Sequence, residues 1–252
     1  MADQTIYENV NDIYFDGYYK EIWRAFIPSE LTAKESDFMA QYFNLTSESR
    51  VLDLMCGYGR HALALSKKGI HVTAVDNLSD YIIEIKKNAE QEQLPLTAIR
   101  ADIIRYEPEG QYDLAICMGN SFNFFEAYHA QNIITMVAAH LKPGGHFLIN
   151  TWTLAEIVIK YFKDRYWSEI NGIKFLTESK FLFHPTRMET ESIMIAQDGK
   201  TETKTGVDYI YSLSEMEVML KNAGLTLEAT YTVPGKKHFS LGDARAYLIA
   251  RK

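Results

Sequence analysis

Between residues 51 and 150, short apolar runs alternate with segments whose apolar residues recur every three or four positions. The runs at 51–54, 70–76, 96–103, 112–120 and 146–150 have the length of buried strands, whereas 60–68, 79–92 and 127–141 have helical period. This alternation predicts a mostly parallel sheet with helices on both faces. Beyond residue 150 the period changes to two. Segments 173–183, 187–196 and 201–211 alternate polar with apolar (Phe175, Phe181, Phe183; Ile193, Ile195; Val207, Tyr209, Tyr211), and the turn signals His184-Pro185-Thr186 and Asp198-Gly199-Lys200 part them. They read as antiparallel strands, each with one buried face.

Ser212-Leu213-Ser214-Glu215 then caps a helix ending at Ala223-Gly224, and 225–233 with 244–250 supplies a last hairpin, making seven strands in the main sheet with the last antiparallel. At the front, 6–27 has a helical rhythm that groups Tyr14, Tyr18, Tyr19 and Trp23, and Thr32-Ala33-Lys34-Glu35 reads as a capping box opening a helix to about Phe43. The expected parts are an N-terminal helical segment (1–47), a core (48–152 and 212–252) and inserted antiparallel strands (153–211).

The most informative stretch is Val51-Leu52-Asp53-Leu54-Met55-Cys56-Gly57-Tyr58-Gly59-Arg60. A buried strand that ends in Gly-x-Gly and enters a helix makes a nucleotide site, because the glycines let the backbone approach a ligand and the first N–H groups of the helix face it. The glycines alone also fit the dinucleotide pattern G-x-G-x-x-(G/A) through Ala62, or a plain tight turn. Asp53 separates these readings. A carboxylate at the strand end repels a pyrophosphate and favours a ligand that carries an ammonium group, such as S-adenosylmethionine (SAM). Asp76 ends the next strand, where an acid accepts both hydroxyls of a ribose; it points to adenosine without choosing the cofactor, and a helix N-cap is its other reading.

The run from Val51 to Arg60 resembles the first motif of class I SAM-dependent methyltransferases, and Leu141-Lys142-Pro143-Gly144-Gly145 is similar to a later motif of the same family. The resemblance implies a Rossmann-like seven-stranded methyltransferase sheet with a small antiparallel insertion after strand five, serving as substrate lid or dimer surface. It implies SAM as cofactor and S-adenosylhomocysteine as product. The cofactor-binding set it implies is Asp53, Cys56, Gly57, Gly59, Asp76, Asn77, Asp102, Ile103 and Met118, with Asp102 reaching the adenine amine and Ile103 lying against the ring. An N-terminal segment over the cofactor would add Tyr14, Tyr18 and Arg24. The activity implied is methyl transfer to an N or O atom of a small molecule.

Composition narrows the partners. The 252 residues carry 26 Lys and Arg against 33 Asp and Glu, a net charge of −7, which disfavours nucleic acid. Lys67-Lys68, Lys86-Lys87 and Lys236-Lys237 are short pairs on expected solvated surfaces and form no stripe. No apolar stretch is long enough to span a membrane, and Met1-Ala2-Asp3-Gln4-Thr5 lacks a basic flank, so a cytoplasmic protein, monomer or homodimer, is expected. Cys56 and Cys117 are expected to be reduced thiols. Residues 119–122, Gly119-Asn120-Ser121-Phe122, lack the Pro-Pro-aromatic turn of DNA amino-methyltransferases, no Pro-Cys pair suits a cytosine-C5 enzyme, and no cluster suits a metal. For a general base the candidates are His238 and His184, with Tyr18 or Trp152 positioning the acceptor; an ordinary surface or packing role stands beside each. Competing classes are an NAD(P)-dependent oxidoreductase, an aminopropyltransferase (which needs clustered acids after strand four), and a non-catalytic SAM-binding regulatory protein.

Overall fold

The structure is a computed structural model that describes residues 9–252; the first residues of the expected 6–27 helix and the Met1–Thr5 stretch lie outside them. After a 3-10 turn (Val10–Ile13), the elements run α1 (Tyr18–Phe26), α2 (Ser29–Tyr42), β1 (Arg50–Leu54), α3 (Arg60–Ser66), β2 (His71–Asp76), α4 (Ser79–Gln91), β3 (Leu96–Arg100) and β4 (Tyr112–Cys117). Then come α5 (Ala127–His140), β5 (Leu141–Thr151), α6 (Ala155–Tyr161), β6 (Arg165–Ile170), β7 (Ile173–Phe183), β8 (Thr186–Ile195) and β9 (Thr201–Tyr209). The chain closes with α7 (Leu213–Asn222), β10 (Thr226–Val233), β11 (Lys237–His238) and β12 (Ala246–Arg251). Among the described residues no helix is long and apolar enough to cross a membrane.

Two compact units divide the chain, 29–161 with 211–252 and 1–28 with 162–210. The larger unit holds a sheet of order β11-β10-β12-β5-β4-β1-β2-β3. Strands β3, β2, β1, β4 and β5 are parallel, while β12 runs antiparallel to both β5 and β10. The sheet has eight strands where the sequence predicts seven, because Lys237–His238, read as part of a loop, pairs antiparallel with β10 at the edge. Parallel strands need apolar residues on both faces, and β1 shows it: Val51, Leu52 and Leu54 are all buried. Helix α7 starts on a capping box in which Ser212 Oγ accepts from the Glu215 backbone N–H and Glu215 returns a bond to the Ser212 N–H. The Pro143-Gly144-Gly145 turn has a packing reason: a Cβ on Gly145 would sit 2.9 Å from the Lys142 carbonyl oxygen and 3.1 Å from that of Tyr112.

Helix α2 belongs to this larger unit. It begins at Ser29, before the Thr32–Glu35 capping pattern, so Glu35 lies inside the helix and is buried at 2% exposure. The physical reason is charge: Glu35 meets a cation and two other donors of the same unit and does not cap a terminus.

The smaller unit carries a four-stranded antiparallel sheet, β6-β7-β8-β9. Strand β6 was not legible as a strand, since Arg165-Tyr166-Trp167-Ser168-Glu169-Ile170 is exposed along most of its length. Ile22 of α1 packs with Ile173, Phe175 and Met194. The expected single N-terminal helix is broken at Gly17, whose φ of +59° suits glycine and whose missing Cβ leaves room for the Glu202 carboxylate.

Candidate functional site

In the larger unit, the carboxyl ends of β4, β1, β2 and β3 lie side by side, with Leu54 opposite both Val75 and Cys117 and Asp76 opposite Arg100. Ligands in open α/β sheets bind along this edge. The β1 strand ends in a loop where Met55, Gly57 and Gly59 all have left-handed backbone (φ +53°, +55° and +75°), and Gly59 is the N-cap of α3. A Cβ on Gly59 would come within 2.6 Å of Ile85, whereas one on Gly57 would meet nothing within 4 Å. The loop therefore packs tightly against α4 on one side and opens at Gly57 on the other.

Asp76 ties the loop down. Its Oδ2 accepts from the Gly57 N–H at 2.8 Å and its Oδ1 from the Leu78 N–H at 3.0 Å. The two readings of Asp76, loop acid and ribose acceptor, are compatible, since each carboxylate oxygen accepts more than one bond. Cys56 is half-buried, its Sγ turned to the Gly57 carbonyl at 3.6 Å, and burial pushes its thiol well up, so it stays protonated. Asn77 is half-buried, and its carbonyl accepts from Arg100 Nε at 3.2 Å. Asp102 follows β3 and accepts the Ile104 N–H at 3.0 Å, while Ile103 and Met118 are buried.

Asp53 is the exceptional group. It is 1% exposed, and its Oδ2 is buried without a hydrogen-bond partner. Burial pushes its pKa up to about 7; the Arg60 charge and the Ala62 backbone N–H pull it down, and the Asp76 charge pushes it further up. A buried carboxylate oxygen with no donor costs free energy, on the order of a few kcal/mol, unless a cation or donor arrives. The loop thus presents an anion in want of an ammonium group, which fits the amino-acid end of SAM.

At the tip of β4 the structure shows residues that the sequence reading passed over. Gly119 and Asn120 are both left-handed, and Asn120 Oδ1 accepts from Thr151 Oγ1 (2.9 Å), the Trp152 N–H (2.9 Å) and the Thr153 N–H (3.1 Å). Asn150 Oδ1 accepts from the Gly119 N–H at 3.3 Å, and Asn123 Nδ2 donates to the Thr153 carbonyl at 3.2 Å. The available signal was a string of buried-looking strands ending in Asn and Thr. Replacing Asn120 with Ala should cost about 2–4 kcal/mol, because it strands buried donors and places a Cβ residue in left-handed backbone without a polar side chain to hold it; urea unfolding of the variant checks this, and an unchanged midpoint would contradict it.

Tyr14, Tyr18, Arg24 and His184 are in the smaller unit. There the Tyr14 hydroxyl bonds Ser192 Oγ at 2.7 Å with its ring against Phe15 and Tyr19, and the Tyr18 N–H donates to Glu202 at 2.9 Å. His184 is exposed at the β7–β8 turn. His238 is exposed on β11 with its ring stacked on Tyr231 at 4.7 Å, and three strands stand between it and β4. His61 is buried, with Nε2 2.9 Å from Glu35. Cys56 and Cys117 are free thiols. Among the described residues no group of His, Cys, Asp and Glu could hold a metal ion.

Comparison with known proteins agrees with this geometry. Residues 51–145 match the model of a methyltransferase domain, so the glycine loop that also fitted a dinucleotide pattern falls inside a methyltransferase match. The chain is 28% identical over 211 residues to a ubiquinone biosynthesis O-methyltransferase of Rickettsia typhi, covering 81% of this chain and 79% of that protein. Three other curated relatives are matched over only 33%, 47% and 54% of their own length. In fold the chain is similar to a SAM-dependent methyltransferase of Clostridium acetobutylicum (TM-score 0.78, 20% identity, 93% of this chain and 96% of that one). It is also similar to SAM-bound CalS10, an amino pentose methyltransferase of Micromonospora echinaspora (TM-score 0.70, 16% identity, 99% of each). Residues 51–145 thus match a methyltransferase domain, and the fold is that of solved SAM-dependent methyltransferases.

Proposed function

We propose that the protein transfers the methyl group of SAM to an N or O atom of a small molecule by in-line displacement, leaving S-adenosylhomocysteine. The observation that carries the reading is the unpartnered, buried Oδ2 of Asp53 beside the open face of Gly57. In this reading Asp53 takes the cofactor's ammonium group, the 55–60 loop approaches it by backbone, and Asp76 with Asn77 holds the ribose. Asp102 and Ile103 receive the adenine, and Met118 at the end of β4 borders the reacting centre. When bound, SAM supplies a methyl already activated on a sulfonium cation. The chain's task is then to align the acceptor behind it and keep water out, a positioning effect worth several kcal/mol.

Relatives named for both O- and N-methylation support a small-molecule substrate without choosing the atom: one is named a ubiquinone biosynthesis O-methyltransferase, another a glycine/sarcosine N-methyltransferase. The net charge of −7 argues against a polyanionic acceptor. A cytoplasmic enzyme, monomer or homodimer, belongs to the same reading. No side chain is assigned as base. Methyl transfer from labelled SAM to a panel of amines, phenols and hydroxy acids tests the reading; a protein that binds the cofactor but labels nothing would favour the regulatory alternative.

Replacing Asp76 with Ala should weaken S-adenosylhomocysteine binding by roughly ten- to a hundredfold through loss of ribose bonds, each worth about 1.5–3 kcal/mol to a charged acceptor. It should also destabilise the ligand-free protein, because the Gly57 and Leu78 N–H groups lose their acceptor. Calorimetric titration and unfolding measure the two effects separately. An affinity equal to wild type would remove Asp76 from the site.

A further inference from the structure

Helix α2 precedes the segment that matches the methyltransferase domain, yet it carries a buried carboxylate held by three side-chain donors. Glu35 Oε2 accepts from Arg60 Nη1 at 2.6 Å and from His61 Nε2 at 2.9 Å, and Glu35 Oε1 accepts from the Tyr247 hydroxyl at 2.6 Å. Arg60 Nη1 also donates to Thr32 Oγ1 at 3.1 Å. Every member is buried or nearly so: the side chains of Arg60 and Glu35 are 10% and 3% exposed, and His61 and Tyr247 are buried. Burial works against ionisation of Glu35, but the bond from His61 and the charge of Arg60 outweigh it and hold its pKa down at about 2. The pair is a fixed anion and a fixed cation.

Its position gives the pair a use. Arg60 is the first residue of α3, next to Gly59, and its charge acts on Asp53. Glu35 and Thr32 occupy Nη1, whereas Nη2 and Nε of Arg60 find no hydrogen-bond partner among the described residues. A guanidinium with free donors therefore neighbours a carboxylate with an unpartnered oxygen. Together they complement a zwitterion, the free ammonium and carboxylate of an α-amino acid, and a guanidinium held at one end loses less side-chain entropy on binding.

We propose that Glu35 is a positioning residue for the amino-acid end of the cofactor, acting through Arg60: it anchors Nη1 so that Nη2 and Nε meet the carboxylate while Asp53 takes the ammonium. The proposal rests on the SAM reading above and assigns a role to a residue outside the matched domain.

The test compares equilibrium binding of S-adenosylhomocysteine with that of 5′-methylthioadenosine, which has the nucleoside and sulfur without the amino-acid end, to wild type, Glu35→Gln and Arg60→Gln. Both variants should lose tenfold or more for S-adenosylhomocysteine and no more than about twofold for methylthioadenosine, and the double variant should lose no more than Arg60→Gln alone. Equal losses for the two ligands would mean a purely structural role and overturn the proposal, as would unchanged affinity for both. Arg60→Gln leaves Glu35 its bonds to His61 and Tyr247, so it decides the matter if Glu35→Gln does not fold. Wild-type protein that binds neither ligand would overturn the SAM reading itself, a result distinct from loss of the preference in the variants.

Discussion

Asp53→Asn should shift stability and cofactor affinity in opposite directions. The folded protein holds Asp53 at a pKa of about 7 against an ordinary value of 3.8, first because of burial. A raised folded pKa means that the protonated acid is favoured on folding. Its contribution is fully present below pH 3.8 and is lost as pH rises through about 7. At 1.36 kcal/mol per unit the cost of the ionised, unpartnered group reaches an upper figure of roughly 4 kcal/mol above pH 7. Asparagine carries no such charge, so ligand-free Asp53→Asn should be more stable than wild type at pH 8, with the difference shrinking as pH falls and vanishing only below pH 3.8. The same change removes the counter-charge of the ammonium group, and S-adenosylhomocysteine affinity at pH 8 should fall about ten- to a hundredfold. In wild type that affinity should rise with pH up to about 7, with a proton released on binding below it, and in the variant this dependence should flatten. Urea unfolding and calorimetry at pH 5.5, 6.5 and 8 give both quantities. A variant that is less stable at pH 8, or one that binds as tightly as wild type, would contradict the account of Asp53.

Glu35→Ala should produce the largest loss of stability in the chain, about 3–5 kcal/mol, since breaking a buried ion pair leaves the remaining charge uncompensated. The truncation removes the acceptor of His61 Nε2 and of the Tyr247 hydroxyl and leaves Arg60 Nη1 with Thr32 Oγ1 alone. The cluster also sets a pH signature. His61 is lowered to about 4, chiefly by burial, and Glu35 to about 2. Both folded values lie below the ordinary 6.5 and 4.5, so both contributions are present above those values and are lost as pH falls, that of His61 between 6.5 and 4 and that of Glu35 between 4.5 and 2. The sign is opposite to that of Asp53. Replacing Tyr247 with Phe should cost less, about 1–2 kcal/mol, because Glu35 keeps its other two donors. If Glu35→Ala unfolded at the wild-type urea midpoint, the ion cluster would contribute nothing and the account of α2 would fail.

The difference between these two acids shows what the chain reveals before folding. Asp53 and Asp76 were legible because strand ends and glycine turns leave marks in the order of residues, and that order also dictates the parallel sheet from β1 to β5. Glu35 was legible only as a polar residue at a capping distance from Thr32. Its partners, Arg60, His61 and Tyr247, lie 25, 26 and 212 positions away, and no local pattern joins them. The same limit applies to Asn120, whose donors on 151–153 arrive through the pairing of β4 with β5. Strand β11 was missed because two residues, Lys237 and His238, carry no period. Strand β6 was missed because an exposed strand lacks the alternation that burial imposes. Local signals located the loop and its acids; long-range pairings decided how those acids are charged.

The central claim is that the β1 loop receives SAM through Asp53. Thermal unfolding of the wild-type chain with S-adenosylhomocysteine, and separately with NAD and NADP, tests it most directly. At a hundredfold excess over Kd, a ligand of the native state adds about 2.7 kcal/mol, enough to raise the midpoint by roughly 5–10 °C in a protein of this size. The account predicts that rise with S-adenosylhomocysteine and none with either dinucleotide. A rise with NAD or NADP and none with S-adenosylhomocysteine would contradict it.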